Sequence, residues 1–509
     1  MPHSFDLVFT VALKQELPLE HLTLQKMPVC TVAAAQSGFL KSLPSEQQRG
    51  ILFLITGVGA KKSQQAAEWI TSELAPMFVV NIGSAGAFSE TIHTWIAPTH
   101  VTNEQHEGPA IQLAPLPFVN TVVNKGRLMS TLSPYSAGAP HENTSTPPVD
   151  FVDMEAYWQA EVFQAQGIPF SSLKFVSDHC NVSSLENYQQ ALISMREACV
   201  DMLTPLFNQE ELRISVIIPV HNRPEWIAET VNTVRAQTLP AFDIIVVDDG
   251  SDAPLDTCLA DHLDAITLLR LPENRGVSAA RNAGVAAAKG NWLAFLDSDD
   301  HWATKKLADQ ASYLQQHPYL IALQCEEIWV RNGIRVNAHK HHQKKAGWIW
   351  KNCLKACLIT PSALLIKSTV YSELGGFDES VLSCEDYDLW LRLSRKYPVG
   401  LSPNQGLIKH GGHEDQLSYR HPVMDRFRVY SLIKALLSEG DTHFRQALLD
   451  ILTKKITILS LGAKKRGLEN ETRAYETLLA QLKTGENNSC PDLSLETIQW
   501  LLARSPKIN

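Results

Sequence analysis

Between residues 214 and 300 the chain runs through short apolar stretches that stop abruptly on polar or acidic residues, and no other feature restricts its fold as much. Ile214-Ser-Val-Ile-Ile-Pro-Val220 gives way to His221-Asn222, Ile244-Ile-Val-Val247 to Asp248-Asp249-Gly250-Ser251, and Trp292-Leu-Ala-Phe-Leu296 to Asp297-Ser298-Asp299-Asp300. Each stretch has strand length, and the intervening 224–236 and 278–288 carry the apolar spacing of amphipathic helices. Strands alternating with helices point to an α/β fold in which crossover helices join mostly parallel strands, here over 214–219, 243–248, 265–271 and 291–297. Ligands gather at the C-terminal strand ends of such sheets, so the polar clusters there are candidate site residues.

The same alternation occurs upstream. Residues 7–12, 50–56, 77–82 and 172–176 read as strands and 63–74 and 154–166 as helices, before a polar break at Phe207-Asn-Gln-Glu-Glu-Leu212. From about residue 424 the β signal disappears and helices are expected over 426–437, 443–461 and 471–482. A chain of 509 residues, at about 150 residues per domain, accommodates the three parts this implies: 1–208, 212–423 and a helical C-terminal extension, 424–509. Residues 136–148, rich in Ser, Pro, Thr, Gly and Asn, read as a loop.

Lys and Arg number 45 against 54 Asp and Glu, a formal charge of −9 that disfavours nucleic acid as a general partner. The apolar stretches fall far below the ~18 residues of a membrane span, so no integral membrane segment is expected. The run over 7–13 lacks a basic leader and a cleavage site, so it reads as a first strand and the protein as cytoplasmic. Nine cysteines without a Cys-x-x-Cys pair support neither a disulfide framework nor a zinc site, and Cys353 with Cys357 makes at best half a site.

Asp297 and Asp299 lie two apart, so on an extended chain they point the same way and could jointly hold a hard divalent cation through oxygen. Such an ion would neutralise a departing diphosphate. By itself an Asp-x-Asp is equally an acidic turn at a strand end. Its companions give it context: the three strand ends above, Asn274-Arg-Gly-Val-Ser-Ala-Ala-Arg-Asn-Ala-Gly284, Gly375-Gly-Phe-Asp-Glu379 and Cys384-Glu-Asp-Tyr-Asp-Leu-Trp-Leu-Arg392. In order and spacing these segments resemble the family-2 glycosyltransferases of GT-A fold, over about 213–419.

The resemblance implies a nucleotide-sugar donor, a glycan or lipid-linked acceptor and a divalent cation, Mn²⁺ or Mg²⁺. It makes Asp249 the carboxylate that reads the nucleotide base, with Pro219 and His221 lining that pocket, and sets Arg281 toward the diphosphate. Asp299 becomes the principal metal ligand, Asp297 sits by the ribose or the metal, and Asp386 is the catalytic base. Chemistry agrees on the last role, because inverting transfer needs a carboxylate to take the acceptor hydroxyl's proton. In Lys409-His-Gly-Gly-His413 the late histidine, His413 ahead of His410, would approach the metal or diphosphate, unless both only shape a polar loop. The basic run His339-Lys-His-His-Gln-Lys-Lys345 reads as a solvated loop or as a contact for a phosphorylated acceptor. Peripheral attachment at the inner face of a membrane is compatible with a lipid-linked acceptor.

In the first part Glu16 closes Val11-Ala-Leu-Lys-Gln-Glu16, and Ile55-Thr-Gly-Val-Gly59 is a glycine turn opening a helix. Asn81-Ile-Gly-Ser-Ala-Gly-Ala87, Val152-Asp-Met-Glu155 and Phe175-Val-Ser-Asp178 follow. Together these five segments resemble the nucleoside phosphorylase superfamily, most closely the methylthioadenosine/S-adenosylhomocysteine nucleosidases, over about 5–207. That likeness implies a purine nucleoside ligand, with Asp178 protonating the purine at N7, Glu155 gripping the ribose hydroxyls beside Met154, Glu16 activating water and Ser84 bordering base and ribose. Breaking an N-glycosidic bond builds an oxocarbenium-like sugar and needs a proton on the leaving base, which carboxylates supply. Lys61 and Lys62 follow the glycine turn without an arginine set for phosphate, which favours hydrolysis over phosphorolysis. The short, irregular stretch from 86 to 152 keeps a noncatalytic nucleoside-binding or regulatory module as the alternative. The apolar stripe of Leu448, Leu449, Leu452 and Ile456 suits intramolecular packing or a homodimer.

Overall fold

Every residue of the apolar run Leu7–Val11 (β1) is buried. It lies between two parallel neighbours, β3 (Ile51–Ile55) and β4 (Phe78–Ala87), with β2 (Val29–Thr31) beyond β3. The coordinates are a computed structural model that describes residues 7–12, 29–31, 51–56, 58–74, 76–87, 94–103, 110–114, 116, 126–131, 149–179, 191–195, 198–199, 211–317, 319–337, 343–412, 423–440 and 442–484. The chain divides into two compact units, the first of residues 1–210 with 316–319 and the second of 211–315 with 320–509.

In the first unit β5 (Trp95–Ile96), β6 (His100–Asn103), β7 (Ile111–Gln112), β8 (Arg127–Ser130), β9 (Phe151–Asp153) and β10 (Phe170–His179) complete a sheet of order β2-β3-β1-β4-β9-β8-β6-β7, with β10 parallel to β4. Helix α1 (Ala60–Glu73) starts from Gly59, whose φ of 93° a side chain would strain, and buries Ala67 and Ile70 against the sheet. Helix α2 (Ala156–Ala165) contributes Tyr157, Ala160 and Phe163 to the same core.

The second unit is built around β11 (Ile214–Val220), buried throughout as an interior strand of the sheet. Parallel neighbours β12 (Asp243–Asp248) and β14 (Trp292–Phe295) flank it, and β13 (Thr267–Arg270) extends the parallel part. Beyond β14 the sheet is mixed: β18 (Leu365–Lys367) runs antiparallel, followed by β16 (Ala322–Arg331), β19 (Gly400–Gly411) and β15 (His301–Trp302), with β17 (Ile334–Val336) hairpinned onto β16. The expectation of a mostly parallel sheet therefore holds for β13, β12, β11 and β14, while beyond them parallel pairing persists between β16 and β19 and the other pairings are antiparallel.

Helix α3 (Pro224–Arg235) opens on proline, which fits a first turn that lacks hydrogen-bond acceptors, and places Glu225 and Arg235 where they complement its dipole. Its buried Ile227, Val231 and Val234 recur at helical spacing. Helix α4 (Val277–Ala287) lies tight on β11, since a Cβ at Gly284 would sit 2.5 Å from Ile217 Cγ2. The remaining helices are α5 (Lys306–Gln316), α6 (Trp350–Cys353), α7 (Ser368–Glu373), α8 (Glu385–Lys396), α9 (Asp425–Ser438), α10 (Thr442–Lys465) and α11 (Glu469–Thr484). The last three do not form a core of their own. Leu432 and Leu436 of α9, Leu448, Leu452 and Ile456 of α10 and Leu478 of α11 join Leu389, Trp390 and Leu393 of α8 in one continuous apolar cluster. The stripe on α10 thus lies inside this unit's core. No helix among the described residues is long and apolar enough to cross a membrane.

Candidate active site

A cleft of about 560 Å³ opens where β11, β12 and β14 end. Pro219, His221, Asp249, Arg281, Asp297, Asp299 and Asp386 all line it, together with Arg223, Asp300, Glu385, Lys409 and His410. Side chains from four separate strand ends and two helices meet there because the parallel strands deliver their C-termini to one edge.

At the nucleoside end of the expected site, both Asp249 carboxylate oxygens accept backbone N–H groups, from Arg275 and from Gly276, each at 2.8 Å. These bonds brace the turn that leads into α4 and leave further lone pairs on the oxygens. Gly250 is required here: at φ 65° a Cβ would lie 2.4 Å from the Glu273 carbonyl carbon. His221 Nδ1 donates to the Asp249 carbonyl at 2.8 Å, so Nε2 is the accepting nitrogen, 3.3 Å from Asn222 Nδ2.

The carboxylates of the acidic turn after β14 each have different partners. Asp297 accepts from Arg281 at 2.6 Å, Asp299 pairs with Arg223 at 2.8 Å, and Asp300 accepts from Ser362 Oγ at 2.7 Å and from the His410 N–H at 3.0 Å. Burial alone would raise the Asp297 carboxyl, but the Arg281 charge and hydrogen bond hold it below the usual range. Among the described residues Asp300 has no such cation in contact; burial, then the neighbouring Asp299 and Asp297, push its carboxyl well above the usual range. Lys409 sits deep beside them, and although burial works against its charge, Glu327, Asp300, Asp297 and Asp386 raise its pKa.

Arg281 is the tie between the two halves of the cleft. Buried with its guanidinium 4.9 Å above the Phe377 ring, it donates to Asp297 through one nitrogen and to Glu385 through another, at 2.7 Å. The resemblance set it toward a diphosphate; in the structure its two terminal nitrogens are engaged by carboxylates. Glu385 is pushed up by burial despite Arg281. Because Glu385 opens α8, this ion pair fixes the start of the helix that carries Asp386, whose Oδ2 accepts from Cys357 Sγ at 3.2 Å and whose Oδ1 accepts from the Tyr387 N–H at 2.7 Å. The preceding Cys384 takes a left-handed backbone, φ 60°, to make the turn.

The donor set suits a hard divalent cation: Asp297 and Asp299 present carboxylate oxygen to the cleft. Among the described residues no group of three or more His, Cys, Asp and Glu side chains forms a ready cage. His413 lies outside the described residues.

In the first unit Glu155 precedes α2, with Oε1 3.4 Å from the Gly59 N–H and Oε2 3.7 Å from Lys174 Nζ. Lys174 also pairs with Asp153 at 2.7 Å, and Asp153 accepts from Ser130 and from the Ala156 N–H. The glycine turn, the Asp-Met-Glu segment and β10 are therefore brought together. Met154 is half-buried beside Glu155, and Ser84 sits on β4 opposite Phe175. The Asp178 backbone pairs with Gly86 just after a register shift in β10. Its side chain and all of Glu16 lie outside the described residues.

Sequence reasoning assigned no role to Arg223, Asp300, Lys409, Cys357 or Lys174. A charge inside an apolar strand was the available signal for Lys174, and adjacency to the His221-Asn222 turn for Arg223. The partners of Cys357 and Lys409 are too distant in the chain for any local pattern to report them.

Residues 215–369 match the family described as glycosyl transferase family 2. An uncharacterized glycosyltransferase of Rickettsia conorii is 29% identical over 209 residues, 40% of this chain and 34% of that one, so the match spans about a third of the relative's length. Among solved structures, S. aureus TarS 1–349 in complex with UDP is 19% identical, covering 48% of this chain and 71% of that one, with a TM-score of 0.39. An MTAN from Chlamydia trachomatis bound to MTA is 17% identical, covering 40% of this chain and 97% of that one, with a TM-score of 0.31.

Proposed function

We propose that the second unit transfers a sugar from a nucleotide-sugar donor to a hydroxyl of a glycan or lipid-linked acceptor. The observation that carries this reading is the convergence of Asp249, Arg281, Asp297, Asp299 and Asp386 on one cleft, most of them within the segment that matches family 2. Pro219, His221 and Asp249 form the nucleoside end, where the carboxylate keeps lone pairs for an N–H of the base. Asp299 and Asp297 would hold a divalent cation, Mn²⁺ or Mg²⁺, which would supply positive charge to a departing diphosphate; His413 is a further candidate for it. Asp386 takes the acceptor's proton as that oxygen bonds the anomeric carbon, while the bond to the donor phosphate breaks and the diphosphate leaves with the electron pair. Attack opposite the leaving group inverts the anomeric centre. Glu385 and Arg281 hold Asp386 in place from the side of β14.

For the first unit we propose hydrolysis of a purine nucleoside, with Asp178 protonating the base, Glu155 and Met154 at the ribose, Ser84 beside it and Glu16 activating water. The contact between the glycine turn and Glu155, backed by Lys174, supports a formed nucleoside pocket. We place the whole protein in the cytoplasm, with peripheral membrane contact where the acceptor is lipid-linked.

Purified protein given a panel of UDP- and GDP-sugars with Mn²⁺ should release the nucleoside diphosphate. Asp299→Ala should abolish release, whereas Asp386→Ala should retain donor binding and lose transfer; lost donor binding in Asp386→Ala contradicts its role as base. Methylthioadenosine or S-adenosylhomocysteine should yield free adenine, and binding without release identifies the first unit as a noncatalytic module.

A further inference from the structure

The assignment of Asp386 as base leaves one of its contacts unexplained. Cys357, in the loop after α6, has its sulfur 3.2 Å from Asp386 Oδ2 and 3.4 Å from the Ile359 carbonyl. A thiol has one proton, and an ionised carboxylate is the stronger of the two acceptors. Burial, with Asp386 adding to it, pushes the Cys357 thiol well above its ordinary value, so the sulfur keeps its hydrogen and acts as a donor, not as a nucleophile. Cys353 and Cys384 beside it are pushed by burial to about 11 and about 12, so neither supplies a thiolate. The other charges around this pair are Glu385 on the same helix, Lys409 of β19 facing Asp386, and Arg428 of α9 facing Cys357 and Cys384. Asp386 lines the cleft and Cys357 does not, so the thiol reaches a substrate only through the carboxylate.

We propose that Cys357 is a positioning residue for Asp386: its S–H fixes one carboxylate oxygen, as the Tyr387 N–H fixes the other, and so holds the base at the cleft wall. This rests on the reading of Asp386 as base, and the test separates the two.

The infrared S–H stretch of Cys357, identified by its loss in Cys357→Ala, should move to higher wavenumber in Asp386→Ala. An unmoved band overturns the proposal. With the panel sugar nucleotide that the wild type turns over fastest, Cys357→Ala should lower kcat about 10-fold with KM little changed, as expected for a displaced reacting group. Cys357→Ser, which keeps a donor, should restore kcat. Equal losses in Cys357→Ser and Cys357→Ala overturn the proposal. Cys357→Val carries the same test where the alanine variant does not fold. Full activity in Asp386→Asn would instead remove the premise while leaving the infrared result standing.

Discussion

Among single residues, Glu327 gives the sharpest physical prediction. It is nearly buried, and burial alone would raise its pKa, yet the charge of Lys344 at 3.0 Å, the more distant Lys409 and hydrogen bonds from Trp329 and Lys344 bring it to about 2. A carboxyl depressed in the folded state stabilises above its unfolded value and loses that contribution as pH falls through its folded value, here from about 4.3 down to about 2. The contribution at neutral pH is roughly 3 kcal/mol. Urea denaturation across pH should show Glu327→Gln destabilised by about 3–5 kcal/mol at pH 7, since Lys344 is left buried without its partner. The variant's stability should also fall less steeply than the wild type's between pH 5 and 2; equal slopes contradict the assignment. Pairings of this kind explain what the sequence conveyed at this scale. Asp249, Asp297 and Asp299 were legible as residues of the cleft because an acid that ends an apolar run lies at a strand end. The role of Arg281 as a tie was not, because Glu385 lies 104 positions away.

At the scale of elements, helix α4 presses onto β11 through Gly284 and carries Arg281 one turn earlier. Gly284→Ala puts a methyl within 2.5 Å of Ile217 and 3.1 Å of Val247, which should cost about 1–3 kcal/mol and displace the helix. A fall in Tm accompanied by weaker transfer at permissive temperature is expected, and an unchanged Tm would show that the contact yields freely. Strands buried on both faces, such as β11 and β12, read clearly as apolar runs of the right length. Other elements did not. β19 contains Ser402-Pro-Asn-Gln405, a loop-like composition that forms a strand because β16 pairs with it through two register irregularities. Likewise Gly83-Ser-Ala-Gly86 reads as a turn, but β10 and β9 extend β4 through it to Ala87.

On the scale of the whole molecule, the three C-terminal helices share an apolar core with α8, so the tail and the proposed base are coupled through packing. Leu452→Ala, fully buried on α10, should cost about 2–5 kcal/mol and shorten the thermal half-life of transfer activity; a half-life equal to wild type would mean the tail is separable. The helical character of this region was visible in its periodicity, whereas its membership of the neighbouring core was not, since an apolar stripe does not name what covers it. The central claim is that distant carboxylates converge to hold a nucleoside diphosphate and its cation. It is tested most directly by a crystal structure grown with Mn²⁺ and UDP. An anomalous manganese peak bonded to Asp299 or Asp297 is expected, with the uridine beside Asp249 and His221. A cleft without nucleotide, or nucleotide and metal bound elsewhere on the protein, would contradict it.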